Sequence, residues 1–283
     1  MQRHMLRLAD LQMFRDQLIQ QEHSPLTVEK YYRDVLAFYQ FLPSDKAVGK
    51  EQVIAYKRHL SEHYKGSSVN SMLVAVNVLL RRLGWDECRV RLLKLQRKSF
   101  RETERELTKT EYLRLLTVAK RSHNRRLYYL MQTICSTGIR VSEHRYITVE
   151  AIQEGVACVR NKGKERMIFI PAELKKPLLQ FCKQRGIETG PVFVTNSGRP
   201  MDRSNIWAEM KKLCSEAHVE RKKVFPHNLR HLFALTFYRL EKDIMRLADV
   251  LGHSSVETTR IYTTVSSVNQ KRLLSRLGLV CSG

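Results

Sequence analysis

Four separated segments in the second part of this chain each offer a cationic or protonatable side chain at a turn or on one helix face. Thr137-Gly138-Ile139-Arg140-Val141-Ser142-Glu143 sets Arg140 and Glu143 three residues apart, a spacing that makes neighbours on a helix. Asn161-Lys162-Gly163-Lys164-Glu165 reads as a hairpin with Lys162 and Lys164 at its tip. In Pro226-His227-Asn228-Leu229-Arg230-His231, Pro226 suits a helix start, and His227 and Arg230 share a face. In the segment from Leu251 to Tyr262, Gly252 ends one helix, Ser254 and Glu257 cap the next, and Tyr262 falls about two turns into it.

Arg140, Arg230, a lysine, His227, His253 and Tyr262 together make a kit for attacking a phosphodiester. Guanidinium forks hold non-bridging oxygens and neutralise the charge that builds on a pentavalent phosphorus. A tyrosine oxygen can act as a covalent nucleophile and store the bond as a phosphotyrosine. The departing 5′ oxygen needs a proton, which a lysine of lowered pKa can donate. No carboxylate cluster suggests a two-metal site, so metal-free chemistry without a cofactor is the expectation.

The elements that must carry these residues fall into two parts. Helical spacing runs from Leu8 to Gln21 through Leu8, Leu11, Phe14 and Leu18. Thr27 is read as capping a second helix with Tyr31, Val35, Phe38 and Phe41. A third helix is expected over about Lys50 to Tyr64 and a fourth over Val69 to Leu83. The charged stretch 98–106 (KSFRETERE) reads as a linker between a helical domain, 1–97, and a mixed α/β domain, 107–283. Thr108 and Glu111 form a capping-box pattern that opens the second domain. Short strands are expected at Val156 to Arg160, Arg166 to Ile170 and Pro191 to Thr195, and the rest of that domain is helical, ending in a tail helix at 266–283.

Composition points the same way. Fifty Lys and Arg face 28 acidic residues, a formal charge of +22, and an excess of that size in a compact fold calls for a polyanionic partner. The charge is spread along the chain, no apolar run has spanning length and the first residues lack a signal-peptide core, so nucleic acid is favoured over membrane and a cytoplasmic location is expected. The six cysteines are scattered without a Cys-x-x-Cys pair, which suits reduced thiols. Cys214 and His218 followed by His227 and His231 loosely imitate a zinc-ligand set, although the usual closely spaced Cys pair is missing.

Taken together, these segments resemble the signature boxes of the tyrosine site-specific recombinases, the family of phage integrases and Xer-type enzymes. The match covers the whole second part in the family's order, and the four helices before it resemble the family's core-binding domain. The resemblance implies a mainly α fold with a small β component: a SAM-like core-binding domain, then a mixed α/β catalytic domain. It implies that Arg140 and Arg230 clamp the scissile phosphate and that His227 and His253 support it and the proton traffic. Lys164 is the implied general acid, Tyr262 the nucleophile, and Glu143 braces the site. The hairpin is one residue shorter than the common family pattern; alignment on Lys-x-Arg selects Lys164, and alignment on Lys-Gly selects Lys162. The implied product is a 3′-phosphotyrosyl DNA, made by a homotetramer on two synapsed duplexes at a specific double-stranded site, with the tail docking on a neighbouring subunit. Integration, excision or movement of a mobile element in a bacterial host is the expected setting. A catalytically silent DNA-binding regulator of the same fold and a type IB topoisomerase remain as alternatives.

Overall fold

A computed structural model of the chain describes residues 4–95, 103–161, 164–195, 197–253 and 255–262. The chain divides into two compact units, Met1–Arg97 and Lys98–Gly283.

The first unit is built on four helices: α1 (Leu8–Gln20), α2 (Pro25–Phe41), α3 (Lys50–His63) and α4 (Gly66–Arg82). Each buries one stripe at helical spacing, as with Leu11, Phe14 and Leu18 of α1 and Val69, Leu73, Val76 and Leu80 of α4. Leu8, read as part of the first stripe, is instead exposed. A two-stranded antiparallel pair, β1 (His4–Met5) with β2 (Ala47–Val48), ties the start of the chain to the α2–α3 connection.

Two helix starts differ from the sequence reading. Ser24, not Thr27, caps α2: its hydroxyl accepts from the Thr27 amide at 3.3 Å, with Pro25 at the first helical position. Proline is preorganised there because its fixed φ is helical and its missing N–H would have been unpaired anyway. Helix α4 begins at Gly66, so the apparent spacer Lys65-Gly66-Ser67-Ser68 is mostly first turn. A Cβ at Gly66 would come within 2.6 Å of Leu95 Cδ2, the far end of an exposed side chain that would have to move aside for a larger residue.

The second unit opens with the Thr108–Glu111 capping box, in which the Glu111 carboxylate accepts the Thr108 amide at 2.8 Å and the Thr108 hydroxyl accepts the Glu111 amide. Helices α5 (Lys109–Arg121), α6 (Arg125–Thr137), α7 (Val149–Glu154), α8 (Ala172–Gln184), α9 (Arg203–Lys212), α10 (Pro226–Glu241), α11 (Ile244–Leu251) and α12 (Val256–Thr259) follow. Helix α6 packs on α10, and the main core gathers Leu115, Leu127, Leu130, Ile134, Leu178, Phe193 and Leu229 among others.

The expected hairpin is present as β3 (Val156–Asn161) with β4 (Lys164–Phe169), antiparallel, Asn161 facing Lys164. Lys164 is therefore the first residue of a strand rather than part of the tip, and Lys162 lies outside the described residues. The strand expected over Pro191 to Thr195 is reduced to single bridges, Thr148 with Pro191 and Val194 with Pro200. Its hydrophobic residues, Val192 and Phe193, are buried in the main core, and among the described residues no neighbouring strand extends a ladder there. Ser255 caps α12, accepting from the Glu257 amide at 3.2 Å, and Ser254, expected as the cap, lies outside the described residues. The tail expected at 266–283 also lies outside the described residues.

Candidate active site

Two glycine-ended helices deliver the cationic groups to one place. Helix α6 ends at Gly138 (φ +67°) and α11 at Gly252 (φ +61°), both in the left-handed conformation that suits a residue without Cβ. Neither position has room for a side chain: a Cβ would meet Phe233 Cδ1 at 2.4 Å in the first case and Arg166 Cδ at 2.5 Å in the second. The carbonyls at such helix ends lack intrahelical donors, and they carry the negative end of the helix dipole.

Guanidinium groups fill that need. Arg230 on α10 is 2% exposed and donates to Gly138 O at 2.6 Å and to Leu251 O at 2.7 Å. Its NH2 also lies 3.1 Å from His253 Nε2. Arg140, just before a 3-10 helix at Val141–Tyr146, donates to Gly252 O at 3.1 Å and to Glu143 Oε1 at 2.9 Å. A guanidinium has five N–H donors, so both arginines are held in place with donors left over.

Glu143 is the anchor of this cluster. Its carboxylate, 2% exposed, accepts the Arg140 backbone amide at 2.6 Å and the Arg166 fork at 2.9 and 2.7 Å. These donors hold its pKa below the ordinary carboxylate value in spite of burial, which by itself would raise it. Two guanidiniums pair with this one carboxylate and Arg230 stands near it, which leaves a local excess of positive charge. Burial, then Arg140, pushes the Arg230 pKa down to about 10, so it remains cationic at neutral pH.

Both histidines have pKa values lowered for related reasons. Desolvation, followed by Arg230, Arg140 and Arg166, lowers His253 to about 4. His227 stands at the mouth of the site, and partial desolvation with Arg230, Arg203 and Arg140 holds its pKa below the usual value. His227, Arg140 and Arg230 line one open cavity of about 660 Å³ together with Arg203, Trp207, Lys211 and Lys222.

The structure thus brings together Arg140, Glu143, His227, Arg230 and His253. Lys164 takes the first position of β4, two residues before Arg166 and of the same strand parity. Tyr262 is 4% exposed in a small core with Leu235, Leu247 and Leu251, its ring 5.1 Å from that of His231. It neighbours the cavity without lining it.

Sequence reasoning missed Arg166 and Thr259 as working parts. Arg166 was legible as the Arg of Lys-x-Arg; Thr259, fully buried and 2.8 Å from His253 Nδ1, had no signal beyond its place three residues before Tyr262. Helix α9 supplies Arg203, Ser204, Trp207 and Lys211 to the cavity wall. The zinc-like set is not assembled: Cys214 is buried with its thiol at Met210 O, and His218 is exposed. Among the described residues, one His/Cys/carboxylate group has ligand atoms close enough to share an ion, and it is His4, Glu87 and Cys88 in the first unit. No helix among the described residues is long and apolar enough to cross a membrane.

Comparison with known proteins places the chain among its relatives. Residues 105–268 match the phage integrase family, and residues 11–87 match the phage integrase N-terminal SAM-like domain. The tyrosine recombinase XerA of Thermococcus kodakarensis is 29% identical over 266 residues, covering 91% of each chain. The tyrosine recombinase XerD of Halalkalibacterium halodurans is 26% identical over 267 residues, covering 87% of this chain and 89% of its own. The fold also matches a lambda integrase dimer bound to a COC′ core site, with a TM-score of 0.72 at 18% identity over 91% of this chain and 95% of that one. The chain belongs to the phage integrase family: it is a tyrosine recombinase, an enzyme of site-specific DNA cleavage and rejoining.

Proposed function

We propose that the cavity beside Arg140, His227 and Arg230 receives the scissile phosphate of a DNA strand and that Tyr262 attacks it. The observation that carries this reading is the fixing of Arg140 and Arg230 by consecutive carbonyls of one turn, Gly252 O and Leu251 O. Two cations prepositioned on one wall suit the two non-bridging oxygens of a phosphodiester, and no reorganisation is needed when charge develops there.

The step is a transesterification. Tyr262 Oη forms a bond to phosphorus as the bond to the 5′ oxygen breaks, giving a 3′-phosphotyrosine and a free 5′ hydroxyl. The tyrosine proton passes to a neutral histidine of the site, with His227 the better placed because it faces the cavity. The 5′ oxygen takes its proton from Lys164. A 5′ hydroxyl of a partner strand then reverses the chemistry, and the phosphodiester energy is retained throughout. Glu143 does not react; it orients Arg140 and, through Arg166, holds the hairpin that carries Lys164.

Tyr262 must become accessible for this reaction, since its ring is covered in the DNA-free protein. DNA binding supplies the occasion, and the high positive charge of the chain supplies the affinity. Lys50, Lys57, Arg58 and Arg91 border a separate groove in the first unit, where a second stretch of phosphate backbone is held. Assembly as a homotetramer on two duplexes, with residues 266–283 docking on a neighbouring subunit, completes the proposal.

The test is a comparison of Arg140→Ala and Arg230→Ala with the wild type. Removal of one preorganised donor costs about 10²–10³ in cleavage rate, with DNA retained at low salt. Equal rates in wild type and both variants would remove the phosphate clamp from the account.

A further inference from the structure

A hydrogen-bond relay runs from Arg230 through His253 to the helix that carries Tyr262. Arg230 NH2 lies 3.1 Å from His253 Nε2, and His253 Nδ1 lies 2.8 Å from Thr259 Oγ1. A guanidinium has donors and no acceptor. Nε2 must therefore present its lone pair, which places the ring proton of the neutral histidine on Nδ1. The Thr259 hydroxyl is then the acceptor. The opposite tautomer would set the Nε2–H against an Arg230 N–H, a donor facing a donor in a half-buried setting.

We propose that Thr259 is a positioning residue for the cleavage reaction: it accepts the Nδ1–H of His253, fixes that ring's tautomer and orientation, and through Nε2 steadies the Arg230 fork. Thr259 is completely buried, and it stands three residues before Tyr262, on the short α12 helix and the 3-10 turn that continues it. The same bond therefore couples the nucleophile's helix to the phosphate clamp. The lowered pKa of His253 agrees, because a neutral ring is what the relay needs at physiological pH. A hydroxyl suits this place because it both accepts and donates, whereas valine has the same shape and can do neither.

The rate part of this inference rests on the proposed cleavage reaction; the tautomer part does not, and the two are measured separately. Long-range proton–nitrogen NMR of the uniformly ¹⁵N-labelled DNA-free protein, with His253→Gln identifying the ring's signals, reads the protonated nitrogen directly. The expected result is Nδ1–H in wild type and in Thr259→Ser, with a mixture of tautomers in Thr259→Val. On the duplex recovered by covalent capture with the wild type, single-turnover cleavage by Thr259→Val is slowed about tenfold, the scale of one lost buried hydrogen bond, at unchanged DNA affinity. Thr259→Ser restores the rate. A wild-type ring protonated at Nε2, or a Thr259→Val protein with the wild-type tautomer and rate, overturns the proposal. Should Thr259→Val not fold, the wild-type and Thr259→Ser spectra decide alone. Absence of any wild-type adduct would count against the cleavage reading and leave the tautomer result standing.

Discussion

Arg166 closes a two-pronged ion pair on Glu143, with NH1 at 2.9 Å from Oε1 and NH2 at 2.7 Å from Oε2, and both side chains are largely removed from solvent. This pair joins the hairpin to the Arg140 turn. Removing Arg166 leaves the buried Glu143 with Arg140 as its remaining ion-pair partner, so the cost lies below the about 3–5 kcal/mol of a fully unpaired buried charge. Arg166→Ala is accordingly expected to lower the urea midpoint. Arg166→Lys is expected to recover only part of it, since a lysine cannot make the two-pronged contact. Urea denaturation of the three proteins checks this.

The same pair bears on the choice of general acid. Strand residues repeat with a period of two, and Lys164 stands two before Arg166 in β4, whereas Lys162 precedes the strand. Lys164→Ala is expected to reduce cleavage by about 10²–10⁴ and Lys162→Ala to leave it nearly unchanged. A substrate with a 5′-phosphorothiolate at the scissile bond, whose leaving group needs no proton, should restore Lys164→Ala. Collapse in Lys162→Ala alone would transfer the role.

Much of this site is legible in the sequence, because each cationic box pairs its functional side chain with local turn chemistry. Gly138 before Arg140 and Gly252 before His253 announce helix ends, and helix ends are where guanidiniums find carbonyls. The stripes of α1 to α4 were equally plain, since apolar spacing reports burial directly. What escaped was set by tertiary contact. Val192 and Phe193 look like a strand but pack into the core, with only isolated bridges beside them among the described residues. Gly66 looks like a spacer but opens α4, and Leu95 packs against it from 29 positions later. The burial of Tyr262 and the Thr259–His253 bond depend on α10, α11 and α12 meeting, which no local pattern encodes.

Acid should weaken the second unit through His253. Its folded pKa of about 4 lies below the ordinary 6.5, so the unfolded chain binds this proton more readily. Stability from this group is complete above about pH 6.5 and declines as pH falls towards 4. The lowered pKa of Glu143 adds a loss of the same sign at still lower pH. Urea midpoints between pH 7.5 and 5.0 are expected to fall in the wild type and to fall less in His253→Gln. A wild-type midpoint that rises on acidification would contradict this.

Ionic strength probes the grip on DNA. Neutralising about 6–10 phosphates per subunit makes affinity fall roughly 10³–10⁵-fold between 50 and 200 mM salt. Filter binding or anisotropy across that range checks it, and a nearly flat response would contradict the expected role of the charge excess.

Covalent capture tests the central claim most directly. Wild-type and Tyr262→Phe protein are incubated with fragmented host DNA, denatured in detergent, and the DNA that remains attached is sequenced. The account predicts adducts from the wild type alone, joined at Tyr262 through a 3′ phosphate and clustered at a discrete sequence. Adducts that persist in Tyr262→Phe, or none from a wild-type protein that binds the same DNA in a salt-sensitive way, would contradict it.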